Sequence, residues 1–168
     1  MKKILNIIAI CLILLSCEDF DFADQGFDLE QLPGYVAYAT SGGTVEAPVK
    51  DVTEATASTS FRVENATGSS TDITFSFSFG GDAVFGTDFN VANSTATGGT
   101  LIIKNNTKDV NDYNFADLKV NILTDGVTDG LKTLTITLIS ATDGDGNSIT
   151  VGRGNYMKVA TVNITDID

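Results

Sequence analysis

From Tyr35 onward the chain alternates apolar and polar residues in short runs. "TFSFSFG" sets Phe75, Phe77 and Phe79 against Thr74, Ser76 and Ser78. "DLKVNIL" sets Leu118, Val120 and Ile122 against Lys119 and Asn121, and "LTITLIS" sets Leu134, Ile136 and Leu138 against Thr135 and Thr137. Neighbouring residues of a strand face opposite ways, so each run predicts a strand with one buried face. "YVAYAT", "TVEAPV", "STSFRVEN", "GTLIIKN" and "MKVATVNI" are further candidates, separated by Gly, Asn, Asp and Ser. No helical period is sustained beyond residue 16. The pattern predicts an all-β domain over 35–168, an antiparallel β-sandwich of about seven strands. There is no internal repeat, and the polar stretch Asn105–Asn114 predicts a surface loop. In the last strand, the parity that turns Ala160, Val162 and Ile164 inward carries Asp166 and Asp168 next. Two like charges thus follow a core-facing row.

The start of the chain has another character. Lys2 and Lys3 precede the apolar run "ILNIIAICLILL" and then "SCED". A basic start, a short apolar run and a small-residue junction describe a secretory signal, too short for a comfortable membrane span. "LLSC" (Leu14 to Cys17) resembles a bacterial lipobox, which implies a signal peptide over 1–16 and diacylglycerol on Cys17. Residues 17–34, Cys17 followed by "EDFDFADQGFDLEQLPG", read as an acidic tether. Glu18, Asp19 and Asp21 resemble export signals for the outer membrane and its exposed face.

Cleavage leaves 152 residues, a net charge of −14, one Cys at the anchor, and neither His nor Trp. One domain of this size can bury a core without cross-links. The strong negative charge argues against nucleic acid and anionic lipid surfaces as partners. Without His or a free thiol, most nucleophilic and neutral-pH base chemistry lacks a base, so a non-enzymatic role is expected.

"GGDAVFGTDFNVANSTATGGTLII", "LKVNILTDGVTDGLKTLTITLISA" and "ATVNITDID" occur in the order of the motifs of the Calx-beta family. The stretch from Val52 to Asp168 resembles that family, which implies an immunoglobulin-like β-sandwich. Some of its members bind calcium at one end through loop carboxylates. The resemblance implies Glu54, Asp88, Asp125, Asp129, Asp166 and Asp168 as metal ligands. Calcium takes about six to eight oxygen ligands in flexible geometry, and converging carboxylates repel one another without a cation. This chain departs from the family at Ile167, which interrupts a run of acids, and at Lys132, where the family's acidic loop is rich in Glu. Both departures point to a reduced site. A second cluster, Asp143, Asp145 and Asn147, resembles the start of an EF-hand loop, but Gly154 stands where that loop needs Glu. A hairpin turn accounts for it.

Three functions remain open on the sequence. The first is a lipid-anchored, non-catalytic module of the cell envelope for adhesion, recognition or accessory binding, with a protein or glycan partner. The second is a calcium-binding domain whose ion orders a ligand surface. The third is a carbohydrate-capturing accessory lipoprotein, which would need exposed aromatics such as Tyr113 and Tyr156 along one groove.

Overall fold

A computed structural model describes residues 34–40, 44–105 and 114–167 of the chain. Cys17, the leader, the tether, most of the Asn105–Asn114 stretch (Tyr113 included) and Asp168 lie outside them. The described residues form eleven strands and no helix: β1 (Tyr35–Tyr38), β2 (Val49–Thr53), β3 (Ser58–Asn65), β4 (Ile73–Gly81), β5 (Phe89–Val91), β6 (Ser94–Thr95), β7 (Gly98–Ile103), β8 (Phe115–Ile122), β9 (Lys132–Thr142), β10 (Ser148–Val151) and β11 (Val159–Thr165).

One layer runs β5-β8-β3-β1. In the other, β9 pairs with β4 on one side and with β11 and β10 on the other. β7 and β6 continue beyond β4, and β2 continues beyond β11. A seam joins the layers, since β10 pairs antiparallel with β9 and parallel with β1. Pairing is therefore mixed rather than wholly antiparallel: β1–β10 and β2–β11 are parallel. The short strands β5, β6 and β10 add to the eight candidate runs and bring the total to eleven. The predicted strand "TVEAPV" is displaced to Val49–Thr53. Pro48 has no N–H to give a ladder, although its carbonyl accepts from Thr161 N at 2.9 Å.

The predicted inward rows form the core. Phe75, Leu118, Val120, Leu134, Ile136, Leu138, Ala160 and Val162 have no exposed surface. Burying an aromatic or aliphatic side chain of this size contributes roughly 1.5–3 kcal/mol. Tyr38 of β1 crosses the core, and its hydroxyl donates to Ile136 O of β9 at 3.1 Å. An aromatic column runs along β4 from Phe75 through Phe77 to Phe79, which meets Phe89 edge-on with ring centres 5.0 Å apart. Phe85 packs against Phe79 and Phe89 at 5.9 and 5.6 Å. This column ends beneath the loops that carry the acidic residues.

Candidate metal centre

The loop between β4 and β5 is built around two aromatic plugs. Phe85 and Phe89 hold it to the core, and Gly86, at φ +85°, makes the left-handed turn between them. Gly86 N donates to Phe89 O and Asp88 N to Val84 O. The side chain of Asp88 is folded back into the loop, where it accepts from Val84 N. It is 2 % exposed. A buried carboxylate is held in place by such charge-assisted bonds.

The β8–β9 loop lies against it, with Leu123 N donating to Asp88 O at 2.9 Å. Asp125 turns this loop by accepting from Val127 N at 2.8 Å, an Asx turn. Asp129 follows, and Gly130, at φ +85°, bends the chain back into β9. Asp88, Asp125 and Asp129 each present a carboxylate oxygen, and the three atoms lie within 4.8 Å of one another. Asp88 is buried, Asp125 half-buried and Asp129 exposed.

Of the other predicted ligands, Asp166 and Glu54 sit around this group, and Asp168 lies outside the described residues. Asp166 follows the inward row of β11, and its Oδ2 accepts from the backbone N–H groups of Asp129 (2.6 Å) and Gly130 (3.0 Å). It thereby fixes the loop that presents Asp129, outside the group of three. Glu54 is 5 % exposed at the end of β2. Its N–H donates to Thr165 O at 3.1 Å, and its carbonyl accepts from Thr124 Oγ1 at 3.2 Å. Its backbone thus joins the ends of β8 and β11, and it too lies outside the three.

Two participants were not among the sequence candidates. Lys132 places Nζ 2.8 Å from Asp129 Oδ2. That hydrogen bond, with the field of Asp129, Asp88 and Asp82, raises the lysine's pKa above its ordinary value. Asp82 pins the start of β9: its carboxylate accepts from Thr133 N, and its own N–H donates to Thr133 O at 3.0 Å. Asp82 lies in the quoted "GGDAVFGTD" stretch, but only the β4–β9 register shows what it faces.

The second acidic cluster is a turn. Asp143 accepts from the backbone N–H groups of Asp145 and Asn147 and from Asn147 Nδ2, at 3.0, 2.8 and 2.9 Å. These bonds, led by the one from the Asn147 side chain, lower its pKa.

The arrangement has counterparts among solved structures. The apo form of the Calx CBD1 domain superposes with a TM-score of 0.55 at 19% identity, over 80% of this chain and 98% of that one. The calcium binding domain CBD12 of CALX1.1 gives 0.53 at 18% identity, over 82% of this chain and 45% of that one. The fold is the Calx-beta fold. A two-domain protein of unknown function from Bacteroides fragilis NCTC 9343 gives 0.50 at 10% identity, over 89% of this chain and 51% of that one. No family model and no curated protein matches the sequence. Identities this low establish the architecture alone.

Proposed function

We propose that this protein is a non-catalytic binding module of the bacterial cell envelope, held by lipid on Cys17, and that its loop end takes one calcium ion. The observation that carries the calcium reading is the convergence of the oxygens of Asp88, Asp125 and Asp129 within 4.8 Å. Three carboxylates in such a space repel one another, and a hard divalent cation relieves that repulsion. A solved relative by fold, the CBD12 region of CALX1.1, is itself described as calcium binding. In this chain Asp88, Asp125 and Asp129 would hold the ion, with Asp166 fixing the 129–130 turn and Glu54 closing the end of β2. Lys132 pairs with Asp129 and lies in the field of Asp88, which argues for one weak site, in the roughly 10⁻⁴–10⁻³ M class of extracellular modules.

Calcium that binds the native state alone stabilises it by RT ln(1 + [Ca²⁺]/Kd), about 1.4 kcal/mol at tenfold excess over Kd. Millimolar calcium should therefore raise the melting temperature, magnesium should substitute poorly, and Asp88→Asn with Asp125→Asn should erase the rise. Identical melting in calcium and in chelator would falsify the calcium reading. The anchor is tested separately: Cys17→Ser should abolish lipid labelling and leave precursor, and unchanged processing and membrane partitioning would refute it.

A further inference from the structure

We propose that Lys50 keeps this protein from pairing with a second copy of itself, by plugging a seam where two strand edges stand open. β2 pairs with β11 alone among the described residues, and its backbone bonds show which edge is left over. Pro48 O accepts from Thr161 N, and Glu54 N donates to Thr165 O. The main chain of Pro48, Lys50, Val52 and Glu54 therefore faces β11, and the alternate residues turn theirs the other way. On that side Thr53 is satisfied by Thr56, whose N–H donates to its carbonyl at 2.8 Å and whose hydroxyl accepts from its N–H at 3.2 Å. The main-chain groups of Val49 and Asp51 have no such partner among the described residues.

The second edge belongs to β3. Arg62 O accepts from Ala39 N at 2.9 Å, so Arg62 and, two residues before it, Ser60 turn their main chain away from β8. The ladder of β1 covers only Val63–Asn65 of β3, which leaves the Ser60 end of this edge without a strand. No ladder joins β2 to β3. A groove of about 480 Å³ lies there instead, and Pro48, Val49, Lys50, Ser60, Phe61 and Arg62 are among its walls. Lys50 shares the inward face of β2 with Val52, which packs on the core, and its side chain crosses the groove. Its Nζ donates to Ser60 O at 2.6 Å and stands 5.3 Å from the centre of the Phe61 ring. One side chain thus takes the free acceptor of β3 and fills the seam with a charge, which an incoming strand would have to displace. Unpaired N–H and C=O groups are a template for another chain's strand, and an inward-pointing charge blocks it. The strand it excludes is that of a second copy, because the same open edge recurs on every molecule and two such edges meet about a two-fold axis. Asp51 gives no such protection: its carboxylate is turned towards β11, where it accepts from Asn163 Nδ2 at 2.7 Å.

The test is sedimentation equilibrium of the full-length chain in density-matched detergent micelles held in excess, with chelator present to keep the acidic end out of the result. The parent should stay at one chain per micelle up to about 100 µM. Lys50→Val, which removes the ammonium and favours a strand, should dimerise with a Kd of about 10 µM or tighter. Amide exchange at Val49 and Asp51 should be fast in the parent and at least about tenfold slower in that dimer. Lys50→Arg keeps the charge and should remain monomeric. So should Lys119→Val, which removes the same charge from an exposed position on β8. The proposal is overturned if Lys50→Val stays monomeric with the parent's folded signal, or if Lys119→Val dimerises equally well. The exchange measurement on the parent does not depend on any variant folding: slow exchange at Val49 and Asp51 in the monomer would mean that the edge is already covered, and would overturn it too.

Discussion

Replacing Lys132 by Gln should tighten calcium binding by roughly ten- to a hundredfold. In the structure the lysine ammonium lies 2.8 Å from Asp129 Oδ2, one of the oxygens an ion would need. A calcium ion sits about 2.4 Å from each oxygen it binds, so an ion sharing this oxygen comes within roughly 5 Å of the ammonium. In water's dielectric alone, a double and a single charge at about that distance repel enough to cost an order of magnitude in affinity. The Lys132 side chain is 24 % exposed, so the effective dielectric is below water's and the repulsion larger. The ammonium can swing towards solvent, which limits it, hence the range. The assay is calorimetric titration with calcium, beside Lys104→Gln as a charge-matched control. Lys104 pairs with Asp72 at 2.6 Å, next to the first residue of β4, whereas Asp82 follows its last, so the control changes net charge equally at the far end of the sheet. Equal tightening in both variants would mean that only the long-range field matters. Unchanged affinity in Lys132→Gln would refute competition for the carboxylates altogether.

Three further outcomes follow from the fold. Tyr38→Phe removes the bond to Ile136 O and should cost about 1 kcal/mol in denaturant unfolding. It should also flatten the alkaline loss of stability: burial raises the Tyr38 pKa, so the folded state keeps a proton that the unfolded chain releases above about pH 10. That contribution is whole below the unfolded pKa and fades as pH rises. Gly81→Ala should destabilise by roughly 2–5 kcal/mol, measured by the same unfolding, since Gly81 has φ +97° and a Cβ there would meet Thr133 O at 2.0 Å. Asp143→Ala should speed amide exchange at Asp145 and Asn147 and leave calcium affinity untouched. Its lowered pKa means that the turn it holds weakens only as pH falls below about 4.

The central strands were legible because each buries one face, and strict alternation is what such a strand requires. β3 carries the whole of "STSFRVEN", and β8 and β9 bury the rows expected of them. The reading failed where tertiary register broke the period. The pairing of β4 with β9 shifts between Ser76 and Phe77, opposite Ser140 and Leu138. Ile139 is the extra residue, and it stands 53 % exposed. Nothing in "LTITLISA" announces that bulge, because both neighbouring parities look apolar. β2 was misplaced for a different reason: four of its five residues are exposed, so no alternating buried face marks it, and its pairing with β11 places it. At the acidic end, the order of motifs pointed to Glu54, Asp88, Asp125, Asp129, Asp166 and Asp168 together, and of these Asp88, Asp125 and Asp129 are the three that converge. The division of labour was not visible, since Asp166 and Glu54 act through backbone bonds that depend on how β11, β2 and β8 end together. Lys132 was visible as a departure, but its contact with Asp129 depends on the Gly130 turn.

The parallel pairing of β2 with β11 has a temporal consequence. Asp51 bonds to Asn163 across 112 positions of sequence, and β2 has no other strand partner among the described residues. Contacts so distant in sequence are slow to form, because the closure entropy of the intervening chain is lost before any pairing compensates it. Until residues 159–166 have been made and folded, β2 has no strand to pair with among the described residues, and neither Glu54 nor the 129–130 turn has its partner, Thr165 and Asp166 respectively. The acidic end is therefore completed last. A cation that prefers it would act late in folding, slowing unfolding more than it speeds the search for the native topology.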